Sequence, residues 1–167
     1  MAKIVNVIGT GSNVGKTILM EGLIKELRNR GLSVATIKHD VHGFDIDKEG
    51  KDTYRHRAAG AETVVISSKN RFAMIKELEE ETDLMDIISM VDSKDIVLVE
   101  GYKRSPLRKI EVFRKGVSKE IITPREKLIA IATNEDIEYY HIPIVSKEDY
   151  ETLADLIEME NEFKAEV

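Results

Sequence analysis

An apolar run, Ile4 to Ile8, passes directly into GTGSNVGKT, Gly9 to Thr17, and from there into a helical pattern. Glycines at 9, 11 and 15 let the backbone take conformations that a Cβ opposes, so successive N–H groups can point inward at phosphate oxygens. Lys16 then supplies a point charge for the outer phosphates, and Thr17 a hydroxyl for Mg²⁺ at the start of the helix. The spacing departs from the commonest phosphate-loop pattern, because Thr10 stands where its first glycine belongs. An ordinary glycine-rich strand-to-helix turn is the alternative, and the order strand, loop, Lys-Thr, helix weighs against it. The residues expected to hold nucleotide phosphate are Gly11, Ser12, Asn13, Val14, Gly15, Lys16, Thr17 and Ile18.

After the loop, Leu19, Met20, Leu23, Ile24 and Leu27 recur at helical spacing until Gly31, and Ser33 to Ile37 reads as a second strand. A strand–helix–strand unit of this length implies parallel pairing, hence a three-layer α/β fold with a mostly parallel, doubly wound sheet. Lys38-His39-Asp40-Val41-His42 leaves the second strand at its C-terminal end, where ligands bind in such sheets. Gly43 to Thr53 is a long polar loop, with an extended arm or hairpin expected at Phe44 to Ile46. Asp52 or Thr53 is expected to cap a helix through Ala59, and Thr63 to Ile66 and Arg71 to Ile75 read as strands. Leu84, Ile87, Ile88 and Val91 make a helical face before a buried strand, Asp95 to Gly101, which delivers Glu100 beside the loop. Tyr102 to Arg108 is a basic loop, Ile110 to Phe113 an extended segment, and Leu128 to Thr133 another buried strand. Lys147 to Phe163 closes the chain as an amphipathic helix, and residues 1–167 read as one domain.

Several side chains in this frame have chemistry to offer. Glu100 is the candidate to hold Mg²⁺ with Thr17, and Asp40, just past the second strand, is a candidate for Mg²⁺ or for positioning water at the γ-phosphate. Asn134 and Asp136 can present an amide and a carboxylate to a base edge; a carboxylate accepts from the N1–H and N2–H₂ pair of guanine and finds no such pair on adenine. Asp45 and Asp47 read equally as site groups or as a solvated acidic loop. His39, His42 and His56 lack a zinc spacing, and the chain has no cysteine to support one or to form a disulfide.

The formal net charge of −6 argues against broad attraction to nucleic acid or anionic membrane, so any basic site must be local. Lys38, His39, His42, Lys51, Arg55 and Arg57 are such a concentration, suited to a phosphate-bearing ligand. The apolar runs are too short to span a bilayer and Met1 leads into a strand without a signal pattern, so a cytoplasmic protein is expected. Gly43 to Thr53, Arg71 to Ile75 and Lys109 to Phe113 exceed what a compact core needs, which predicts pairing with a second copy as a homodimer.

The loop GTGSNVGKT resembles that of dethiobiotin synthetase, whose branch would make this an ATP-dependent ligase or amidotransferase-like enzyme. Two further stretches, IKHDVHGFDIDKEGKDTYRHRAAGA (Ile37 to Ala61) and VLVEGYKRSPLRKIEVFR (Val97 to Arg114), have no counterpart there. Together with the loop they resemble the family of protein B of molybdopterin-guanine dinucleotide biosynthesis, over residues 3 to 158. The resemblance implies a GTP- and Mg²⁺-binding protein with weak GTPase activity, usually a homodimer. It also implies a partner guanylyltransferase that joins GMP to molybdopterin, with the pterin itself near Lys38, His39, Lys51 and Arg55. A non-catalytic, nucleotide-gated adaptor is the remaining alternative.

Overall fold

The computed structural model describes residues 2–11 and 13–163. They form two compact units, residues 2–39 with 85–163 and residues 40–84. The first unit has the expected three-layer α/β architecture. It carries strands β1 (Lys3–Ile8), β2 (Val34–Lys38), β5 (Ile96–Glu100), β6 (Lys109–Val112), β7 (Leu128–Ala132) and β8 (Ile144–Val145), with helices α1 (Lys16–Asn29) and α4 (Tyr150–Met159). The second holds α2 (Asp52–Ala58), β3 (Thr63–Ser68) and β4 (Arg71–Lys76); helix α3 (Leu84–Ser89) begins at its last residue.

The six-stranded sheet runs in the order β2-β5-β1-β6-β7-β8, every pairing parallel. Side chains alternate across it, and Val5, Val7, Leu98, Ile110, Val112, Ala130 and Ala132 pack with Leu19, Leu23 and Leu27 of α1 and Leu153, Ala154 and Ile157 of α4. Burying each of the valine, leucine and isoleucine side chains among them contributes roughly 1.5–3 kcal/mol, and each alanine less.

The opposite face differs where β1 meets β6. Asn6, Lys109 and Glu111 are fully buried there, and Asn6 stands level with Lys109 in the register. Loops cover this part of the sheet, and loops bring backbone groups that need partners. Lys109 Nζ donates to Ser105 O at 2.7 Å and Leu107 O at 2.8 Å, and Asn6 Nδ2 to Tyr102 O at 3.1 Å and Ser105 Oγ at 3.0 Å. The Glu111 carboxylate accepts from Ile122 N at 2.9 Å and Thr123 N at 2.8 Å. Lys109 to Phe113, expected as an exposed run available to a second copy, is therefore an interior strand; its charged alternates face loop backbone and not water.

In the second unit, β3 and β4 pair antiparallel from Thr63↔Lys76 to Ser68↔Arg71. The two strands expected here pair as a hairpin, whereas Phe44 to Ile46, where the extended arm or hairpin was expected, forms no strand. The cap of α2 also differs from expectation: Lys51 occupies the N-cap without a side-chain bond, and the Thr53 hydroxyl donates to Asp47 Oδ1 at 2.8 Å instead. Val65, Ile66, Phe72 and Met74 of the hairpin are exposed. Among the described residues no helix is long and apolar enough to cross a membrane.

Candidate functional site

The loop after β1 is shaped by close backbone approach. A Cβ on Gly9 would lie 2.7 Å from Val14 Cγ2 and 3.1 Å from Val112 O, so only glycine lets the chain turn between them. Gly15, at φ +109°, is the N-cap of α1 in the left-handed region. Asn13 is left-handed as well, at φ 66°, and its carbonyl accepts from Arg114 Nη1 at 3.0 Å. Val14 is fully buried, whereas Thr17 and Ile18 are exposed on the first turn of α1. Ser12, expected among the phosphate ligands, lies outside the described residues.

Lys16 folds back across the loop and donates to Gly11 O at 2.7 Å. Burial lowers its pKa, the carboxylate of Glu100 opposes that shift, and Lys103 and Lys38 reinforce it. These four charges meet at the C-terminal edge of the sheet, because Glu100 ends β5 in register with Val7 on one side and Lys38 on the other. His39 follows Lys38, its N–H donating to Glu100 O at 2.9 Å, and its ring stacks on Tyr102 with centroids 4.2 Å apart. Thr10 Oγ1 is buried without a hydrogen-bond partner among the described residues. A desolvated ammonium, N–H groups at a helix start and an unengaged hydroxyl together fit a polyphosphate, and the Thr17 hydroxyl and Glu100 carboxylate are the groups able to hold its Mg²⁺.

Asn134, expected to read a base, has most of its amide engaged within the protein. Its Oδ1 accepts from Ser146 Oγ at 2.9 Å and Lys147 N at 3.0 Å, and its Nδ2 donates to Glu148 Oε2 at 2.6 Å. That bond and the one from Ser146 hold the Glu148 carboxyl below its usual pKa. Asp136 is exposed.

The remaining candidates belong to the second unit. Asp40 is exposed, and its Oδ1 accepts from His42 N at 3.0 Å. Asp45 and Asp47 are committed to Arg57, at 3.1 Å and 3.3 Å, and Arg57 also reaches Glu77 at 2.8 Å. The Asp47 N–H and then the guanidinium keep Asp45 below the ordinary carboxylate range, while Glu77 first and Asp45 next raise Arg57. Arg57, expected among cations for a phosphate-bearing ligand, is thus matched by three carboxylates, while Lys51, Arg55 and His56 are exposed. Among the described residues, no three His, Asp or Glu side chains gather as a metal-holding group.

The sequence reading overlooked Arg114, which touches the loop from the segment after β6, and Lys147, which reaches it from beyond β8. A two-residue strand such as β8 is too short for alternation to reveal, so nothing marked Lys147 as arriving at the sheet edge.

The sequence profile of the family described as "Molybdopterin guanine dinucleotide synthesis protein B" matches residues 4–134. A molybdopterin-guanine dinucleotide biosynthesis adapter protein of Escherichia coli K12 is 37% identical over 153 residues, covering 87% of this chain and 86% of the relative. Its counterpart of the same name in Haemophilus influenzae is 38% identical over 129 residues, covering 76% of this chain and 72% of the relative. The crystal structure of Bacillus subtilis MobB superimposes with a TM-score of 0.75 at 26% identity, over 98% of this chain and 99% of that one. With its profile matched over most of its length and its sheet superimposed on a solved member, the chain belongs to the molybdopterin guanine dinucleotide synthesis protein B family.

Proposed function

We propose that the chain binds GTP with Mg²⁺ and serves as a nucleotide-dependent adapter in making the guanine dinucleotide form of molybdopterin. The observation that carries the reading is Lys16, a partly desolvated ammonium folded onto Gly11 O at 2.7 Å beside Glu100, at the mouth of a glycine-shaped loop. A polyphosphate offers that cation a better partner than a lone carbonyl does. Thr17 and Glu100 supply the oxygen ligands for Mg²⁺, which neutralises phosphate charge when bound. The adapter role follows from the names of the relatives, and the partner proposed for it is the guanylyltransferase that the family resemblance implies.

Isothermal titration of parent and Lys16→Ala with GTP and with ATP tests the reading. Lys16→Ala is expected to lose GTP binding while keeping its far-UV spectrum, and the parent to prefer GTP. Unchanged GTP affinity in Lys16→Ala rejects the loop assignment; a preference for ATP transfers the chain to the ligase alternative. The chain contains no glutamine to position an attacking water, which favours slow turnover and gives nucleotide-gated binding precedence over hydrolysis in this reading. Turnover that stays slow with and without the guanylyltransferase is the outcome expected of an adapter.

A further inference from the structure

We propose that Lys147 is a second phosphate-contacting lysine, held over Gly15 by Asn134, that serves the inner phosphates of a bound nucleotide and not the terminal one. The inference rests on reading the loop as the nucleotide site.

A Cβ on Gly15 would lie 3.7 Å from Lys147 Cδ and 3.8 Å from Lys147 Nζ. The stem and ammonium of Lys147 therefore lie against Gly15, the N-cap of α1. The residue is half-buried, so its apolar stem is packed while its charge stays at the rim. Among the described residues no carboxylate lies within ion-pair distance of that ammonium. Glu148, the neighbouring acid, is turned instead to Asn134 Nδ2 at 2.6 Å and Ser146 Oγ at 3.0 Å.

The two lysines mark opposite ends of the loop. Lys16 reaches back to Gly11, whereas Lys147 stands at Gly15, where helix-start N–H groups collect inner phosphates. A cation at Gly15 thus adds attraction to what GDP and GTP share. Asn134 is a positioning residue in this arrangement: Asn134 Oδ1 takes the Lys147 N–H at 3.0 Å and the Ser146 hydroxyl at 2.9 Å, so the end of β7 sets where β8 delivers the lysine. A nearby cation and a phosphate gain most when the cation is already in place, since less freedom is lost on binding.

The test is titration of the full chain with GTP and with GDP, in Mg²⁺, for the parent and for Lys147→Met, Lys147→Arg, Asn134→Ala, the double variant Asn134→Ala/Lys147→Met, and Lys16→Ala. Methionine keeps the stem and removes the charge. Lys147→Met is expected to bind both nucleotides about tenfold more weakly, the size of one charge-assisted hydrogen bond, with the GTP-to-GDP ratio unchanged within about twofold. Lys147→Arg should restore most of the loss. Asn134→Ala should weaken both ligands about fivefold and add nothing further to Lys147→Met, the non-additivity expected of residues acting as a unit. Parental affinities in Lys147→Met, with binding lost in Lys16→Ala, overturn the role of Lys147 and leave the loop assignment standing. A loss confined to GTP overturns the inner-phosphate placement, and additive losses in the double variant overturn the positioning by Asn134. Full binding by Lys16→Ala removes the site itself, and the proposal with it.

Discussion

Replacing Gly22 by alanine sets two effects of known size against each other. Gly22 lies in the interior of α1 with helical dihedrals, where alanine is favoured by about 1 kcal/mol. A Cβ there, however, would fall 2.2 Å from Tyr150 Cε1, 2.3 Å from Cζ and 2.5 Å from Cδ1. Carbon atoms rest at about 3.5–4.0 Å, so the ring at the start of α4 would have to retreat by more than ~1 Å. That ring packs against the core shared by the two helices, which leaves little room. Overpacking of this kind costs about 1–3 kcal/mol, and full expulsion of the ring loses a similar amount of apolar burial. Steric cost exceeds propensity, and Gly22→Ala is expected to destabilise by up to about 2 kcal/mol. In a Tyr150→Ala background the obstacle is gone and the same substitution should stabilise by about 1 kcal/mol, giving a coupling of about 1–3 kcal/mol. Urea unfolding followed by far-UV circular dichroism measures all four corners of the cycle. A Gly22→Ala that raises the midpoint equally with and without the tyrosine ring refutes the contact between α1 and α4 as described.

Burial, aided by Lys127, holds Lys109 at about 8, below its unfolded value of 10.5. The fold therefore favours the neutral amine: this contribution is complete above pH 10.5, falls away as pH drops through 8, and changes by at most about 1.4 kcal/mol per pH unit between them. The stability of the parent minus that of Lys109→Met should rise from pH 8 to 10, and a flat difference rejects it. Glu111→Ala orphans the N–H groups of Ile122 and Thr123 and should cost about 2–5 kcal/mol in urea unfolding, with faster amide exchange at both; a loss below about 0.5 kcal/mol contradicts the anchoring role. Glu100→Gln should reduce the gain in GTP affinity on adding Mg²⁺ by about tenfold in titrations with and without the ion, and an unchanged gain removes Glu100 from the metal site. The exposed apolar residues of the β3–β4 hairpin and the segment Gly43 to Thr53 favour a homodimer, so light scattering should give twice 18.9 kDa, and a monomer at tens of micromolar rejects it.

The parallel sheet was legible because Ile96 to Val99 is an uninterrupted apolar run and Ile4 to Ile8 is broken only at Asn6, the mark of strands covered on both faces. Strand β6 was misplaced for the complementary reason. The charges at Lys109 and Glu111 look like a solvent-facing alternation, and only the covering loops reveal that their partners are backbone groups. At the site, Lys16 and Glu100 could be read from a local motif and from a strand ending in an acid. Asn134 could be read as a polar group at the sheet edge, but its engagement with Ser146, Lys147 and Glu148 depends on pairing between β7 and a two-residue strand. Asp45 and Asp47 were ambiguous, and Arg57 was assigned to a phosphate-bearing ligand, because ion pairs across a loop and a helix leave no spacing rule in the chain.

The strand order also dictates when the sheet can be built. β2 pairs with β5 alone, and β1 lies between β5 and β6, so both N-terminal strands await residues Ile96 to Val112. As the chain leaves the ribosome, apolar Ile4 to Ile8 emerges long before its neighbours exist, while the β3–β4 hairpin closes from adjacent residues. Contacts so distant in sequence slow folding and prolong the exposure of unpaired strands. A nascent chain arrested before Ile96 should thus bind holding chaperones through β1, and one extended past α4 should release them.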